Sequence, residues 1–83
     1  MEHITKKWLE RARYDLRTAE AMLETRRYLY VAFMCQQNLE KTLKAIYTHK
    51  RKEIPPRTHN LLYLIELLKI SITKEQKIFL LVD

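Results

Sequence analysis

No glycine occurs anywhere in the 83 residues. Glycine supplies the positive φ that tight β-hairpin turns require, so a chain without it is poorly suited to short hairpins. Glycine-rich phosphate loops and dinucleotide-binding fingerprints are excluded on the same ground. Helix formers dominate instead: Leu, Glu, Lys, Arg and Ala recur throughout, and no segment alternates strictly enough to read as a strand. The expected class is all-α, an antiparallel up-and-down bundle of about four helices with short connections, forming one domain over residues 1–83. A domain this small buries roughly 60% of the surface its unfolded chain exposes, and oligomerisation is a common supplement.

Periodicity predicts where the helices lie. The first is expected from about Thr5, as N-cap, to about Thr25. Ile4, Trp8, Ala12, Leu16, Ala19 and Leu23 recur every three or four residues and share a face. Arg11 and Asp15 stand i, i+4, the spacing of a side-chain pair. Arg26, Arg27 and Tyr28 make a connection short enough for a helical hairpin. The second helix is expected over about 29–50. Its inner stripe is Tyr28, Ala32, Cys35, Leu39, Thr42, Leu43 and Ile46, widened by Val31, Phe33 and Tyr47. So wide an apolar surface points to burial against a second subunit as well as the chain's own core.

Pro55-Pro56 ends the second helix. Thr58 is the expected N-cap of a third helix from His59 to about Ile70. Thr73-Lys74-Glu75-Gln76 has the spacing of a capping box for a fourth, carrying Ile78, Phe79, Leu80, Leu81 and Val82. That pattern is still running at Asp83, as expected of a truncated domain or one completed by a partner.

The net charge of +6 is concentrated. Lys41, Lys44, Lys50, Arg51, Lys52 and Arg57 face Glu53 alone between residues 41 and 57, while the remaining segments nearly balance. A focused basic patch raises the local concentration of polyanions. Lys44, Lys50, Arg51, Lys52, Arg57 and His59 are the candidate contacts to RNA or a nucleotide, with Tyr47 and Tyr63 as stacking groups. A solvated helix end is the alternative.

Gln37, Glu40 and Lys44 fall on one side of the second helix. They read either as the lining of a groove or dimer seam, or as a solvated strip in which Glu40 pairs with Lys44. His59 beside Arg57 supplies the two groups that metal-free RNA cleavage requires, a titrating imidazole and a cation for the phosphorane. The alternative is a histidine packing at a helix start. His49, near a helix C-terminus, reads as a dipole-compatible surface residue. Cys35 is the lone cysteine, read as a small core residue of a reducing compartment. No His or Cys pair has metal-ligand spacing, so no metal and no cofactor is expected. The N-terminus lacks a signal peptide's apolar stretch and no run is long enough to span a membrane, which reads as a cytoplasmic protein.

Four segments in order resemble the HEPN family, the helical domains named for higher eukaryotes and prokaryotes nucleotide-binding. They are Trp8 with Ala12, Asp15-Leu16 and Ala19; Tyr28 to Phe33; Gln36-Gln37 with Glu40-Lys41 and Leu43-Lys44-Ala45; and Pro56 with Thr58-His59-Asn60-Leu61 and Leu64. The resemblance covers essentially the whole chain. It implies a bundle that dimerises and a partnership with a small nucleotidyltransferase, often as a toxin–antitoxin pair. Some members are metal-independent RNases marked by an Arg followed after four to six residues by His. That signature is absent here. The window before His49 holds Thr42, Leu43 and Lys44, the window before His59 holds Lys52, Glu53 and Ile54, and Arg51 stands one residue too far from His59. The expected role is therefore a dimeric binding or regulatory module, with an active RNase toxin or a non-catalytic scaffold subunit as alternatives.

Overall fold

The computed structural model describes residues 1–74, which form three helices and no strand. The first, α1, spans Glu2–Glu24 and begins earlier than Thr5. Thr5 is not its N-cap. The Thr5 hydroxyl donates back to the Met1 carbonyl at 3.3 Å and also meets the Thr48 hydroxyl, so it supports a turn that has already formed.

The reversal to α2 (Tyr28–Arg51) needs a left-handed residue, and in a chain without glycine Arg26 takes that conformation at φ 59°. Arg27 N–H donates to the Met22 carbonyl at 2.9 Å and Arg26 N–H to the Leu23 carbonyl at 3.0 Å, a Schellman cap. Lys52 ends α2 in the same conformation, at φ 56°.

The third helix, α3, is Leu61–Leu67, shorter than expected at both ends. The Thr58 hydroxyl accepts from Asn60 N–H at 3.1 Å, a local turn that delays the helix. Asn60, not Thr58, is the N-cap, accepting from Tyr63 N–H at 3.1 Å. Lys69 then turns left-handed at φ 56°, with Ile70 N–H on the Ile65 carbonyl and Lys69 N–H on the Glu66 carbonyl. The expected fourth helix falls almost wholly beyond the described residues.

Two different kinds of packing hold these elements. The α2–α3 contact is apolar: Leu43, Tyr47, Leu61, Leu64, Ile65 and Leu68 form a buried cluster, with Leu39, Ile46, Leu67 and Ile72 against it. The α1–α2 seam is small and polar. Ala12, Ala19 and Ala45 let the backbones approach, and Asp15, Glu40, Lys44 and Thr48 are buried among them. The Asn38 amide donates across the seam to the Ala12 carbonyl at 2.7 Å.

Several sequence expectations are corrected here. Asp15 pairs with Lys41 across the seam and not with Arg11 along α1. Arg11 instead lies over the Trp8 ring. Cys35 is exposed, not core. So are Tyr28, Ala32 and Phe33 on α2 and Leu16 and Leu23 on α1. The reason is length. The buried cluster that α3 makes draws on the C-terminal half of α2, and the same stripe nearer the turn has no described apolar element over it. Tyr47 is likewise a core residue, and so is not available as a stacking surface. No described helix is long and apolar enough to cross a membrane.

Candidate functional site

Glu40 sits on the flank of α2 that the chain passes on its way into α3, and it is only 4% exposed. A buried carboxylate is costly unless it is neutralised and hydrogen-bonded. Both its oxygens are engaged. Oε2 accepts from Lys44 Nζ at 3.2 Å, one turn on, and Oε1 lies 2.9 Å from His59 Nδ1. A carboxylate only accepts, so Nδ1 donates. The His59 side chain itself is 86% exposed, so the buried acid orients a ring that faces solvent. His59 is delivered by the loop after α2, which Pro55 anchors by its burial.

Lys44 is 5% exposed and belongs to the interior of this arrangement. Its ammonium lies 5.2 Å from the centre of the Trp8 ring, and the Arg11 guanidinium lies 5.3 Å from the same ring. Cations over an indole face are attracted by its quadrupole. A continuous line thus runs from Arg11 through Trp8, Lys44 and Glu40 to His59. Gln37, half-buried, stands one turn before Glu40 on this flank.

The remaining basic residues lie at the end of α2 and beyond. Lys50, Arg51, Lys52 and Arg57 are all exposed. Arg51 donates to the Leu67 carbonyl and stacks 5.3 Å over the Tyr47 ring, which ties the end of α2 to the end of α3. Tyr47 in turn donates to Glu53 at 3.4 Å. Tyr63 is exposed at the start of α3. The predicted residues therefore separate into two groups. Glu40 and Lys44 are structural and buried, with His59 hung from them. Lys50, Lys52 and Arg57 present charge to solvent.

Three features escaped the periodicity: the Asp15–Lys41 pair, the two cations against the Trp8 ring, and the Asn38 bridge. Asp15 did carry a signal. It follows Trp8 and Ala12 at the spacing of the inner stripe, where an acid demands a buried partner. Among the described residues no group of three His, Cys, Asp or Glu side chains stands ready to hold a metal ion.

No curated protein and no solved structure matches the chain. The model of one family, described as the HEPN domain, matches residues 5–82, nearly the whole length. With that match running through every segment of this site, the chain belongs to the HEPN domain family.

Proposed function

We propose that the chain is a nucleotide- or RNA-binding module that works as a homodimer beside a nucleotidyltransferase-type partner, in a system of the toxin–antitoxin kind. Family membership supports a nucleotide- or RNA-related role at the level of the family. The observation that carries the reading is the sorting of the basic residues. Lys41 and Lys44 are neutralised by buried acids, while Lys50 in the last turn of α2, its C-cap Lys52 and Arg57 on the loop that follows are exposed. Phosphate oxygens are the natural acceptors for such a cluster. The dimer draws its support from the exposed Leu16, Leu23, Tyr28, Leu29, Tyr30 and Phe33 on the hairpin. The partner enters from the family resemblance alone.

The test is binding of a labelled single-stranded RNA followed across a salt series. Replacing Lys50, Lys52 and Arg57 together by Ala should flatten the logarithmic salt slope by about two, at about 0.7 per single-strand phosphate contact. Arg51 is left in place because it holds α3. A slope indifferent to the triple substitution contradicts the reading and leaves the scaffold role.

A second reading, a metal-independent RNase, is favoured by one observation: the 2.9 Å contact that orients the exposed His59 ring on a buried carboxylate. An imidazole held at one nitrogen by an acid has its other nitrogen available for proton transfer. RNA incubated with the protein in EDTA decides it. Cleavage that disappears in His59→Ala supports the RNase; intact RNA supports the binding module.

A further inference from the structure

The flank of the hairpin away from Glu40 carries a shallow, solvent-facing hollow of about 350 Å³, lined by Glu2, Thr5, Lys6, Leu9, Arg13 and His49. Its placement follows from helix geometry. Lys6, Leu9 and Arg13 stand at i, i+3 and i+7 and so share a face of α1. His49 follows Lys44 by five residues, which turns it about 140° around α2. The Thr5–Thr48 hydroxyl bond, with Thr48 fully buried, sets the antiparallel register here. The last turns of α2 consequently lie beside the first turns of α1. His49 thereby reaches a face that α1 makes basic unaided.

The buried acids of the seam are already occupied, Asp15 by Lys41 and Glu40 by Lys44 and His59. Lys6, Arg13 and His49, by contrast, make no ion pair with another described residue. Two permanent cations and an imidazole are among the residues that line one hollow. Leu9 adds an apolar wall and Glu2 a carboxylate to the same lining.

We propose that this hollow is a phosphate site that takes the compact dianionic head of a phosphomonoester. Lys6 and Arg13 outweigh the single Glu2 carboxylate, and a phosphomonoester offers three terminal oxygens to the three donors where a backbone diester offers two. The phosphate oxygens accept from Lys6, Arg13 and His49, all of which are donors. The Glu2 carboxylate opposes any phosphate bound here and so limits its affinity. Leu9 faces the organic part. None of Lys50, Lys52 and Arg57 lines this hollow, so variants there test the two proposals separately.

Such a group is carried both by a free mononucleotide and by the phosphorylated end of an RNA strand. Backbone-amide NMR of the full chain distinguishes them. The titrants are inorganic phosphate, adenosine monophosphate, adenosine, and a short oligouridine with and without a terminal phosphate. Amide shifts centred on Lys6, Leu9, Arg13 and His49 are expected with every phosphomonoester and not with adenosine. Stronger binding by the end-phosphorylated oligomer than by the mononucleotide identifies the strand end as the carrier; the reverse order identifies the free nucleotide. Lys6→Ala with Arg13→Ala should weaken binding about tenfold or more, and Glu2→Gln should strengthen it. Lys50→Ala with Lys52→Ala should leave it unchanged. All these side chains are exposed, and an unaltered amide spectrum without titrant confirms that each variant folds. Shifts scattered over every basic surface, or equal losses from the two double variants, overturn the proposal.

Discussion

Lys44 Nζ lies 3.2 Å from Glu40 Oε2, and both side chains are almost completely withdrawn from water. An i, i+4 pair on an exposed helix face contributes a few tenths of a kcal/mol. Here burial changes the consequence of breaking it, because each charge is uncompensated without the other.

Glu40→Ala is therefore expected to destabilise the chain by about 3–5 kcal/mol, since it strands a buried ammonium. Adding Lys44→Met should recover a large part of that loss, because an unbranched apolar side chain replaces the charge against Trp8. Urea unfolding monitored by circular dichroism measures both. Additive losses from the two single substitutions would show that the pair is not coupled.

The left-handed positions predict the opposite effect. Arg26 and Lys69 occupy a conformation that costs a side-chain-bearing residue about 1–2 kcal/mol and costs glycine little. Arg26→Gly and Lys69→Gly should each raise stability by up to about 1 kcal/mol, which is about 4–8 °C in Tm for a domain of this size. Scanning calorimetry reads the shift. A lower Tm in both variants would mean that the greater freedom of the unfolded chain outweighs the relieved strain.

Leu64 and Leu29 make a paired prediction on one residue type. Leu64 is fully buried in the α2–α3 cluster, whereas Leu29 is 88% exposed at the start of α2. Leu64→Ala should cost about 2–5 kcal/mol through lost burial and the cavity left behind. Leu29→Ala should change the intrinsic stability of the monomer by no more than about 0.5 kcal/mol. Chemical denaturation at low protein concentration compares them, and equal costs would refute the assignment of the core.

The hairpin face tests the proposed dimer. Leu29→Glu with Phe33→Glu places charge on the exposed apolar stripe without touching the α2–α3 cluster. Sedimentation velocity should show a dimer for the parent chain and a monomer for the double variant, with helical content retained. A parent chain that sediments as a monomer at micromolar concentration would remove the dimer from the proposal.

Much of the local structure is legible without coordinates. The first two helices and their short connection follow from period and propensity, which act within a few residues. Pro55-Pro56 bars any continuation, but α2 has already ended at Arg51 on the left-handed Lys52. The favourable order of Glu40 and Lys44 could be read from spacing alone. The start of α3 could not. Thr58, His59 and Asn60 offer competing side chains, and which one caps depends on the turn that the Thr58 hydroxyl makes.

The sequence by itself determined that this chain is helical, that two long helices turn back on each other, and that its positive charge gathers between residues 41 and 57. Those properties depend on neighbours along the chain. Only the tertiary structure decided which charges serve the interior and which meet solvent. Lys41 meets Asp15 because α1 lies against that flank of α2, and Lys44, whose pairing with Glu40 is local to α2, is withdrawn from water with its ammonium over Trp8 of α1. His59 meets Glu40 across 19 residues because the loop folds back. Cys35 and Phe33 stay exposed because the buried cluster at α3 is built on the far half of α2. Burial and pairing depend on what packs across from a side chain, and no local pattern carries that information.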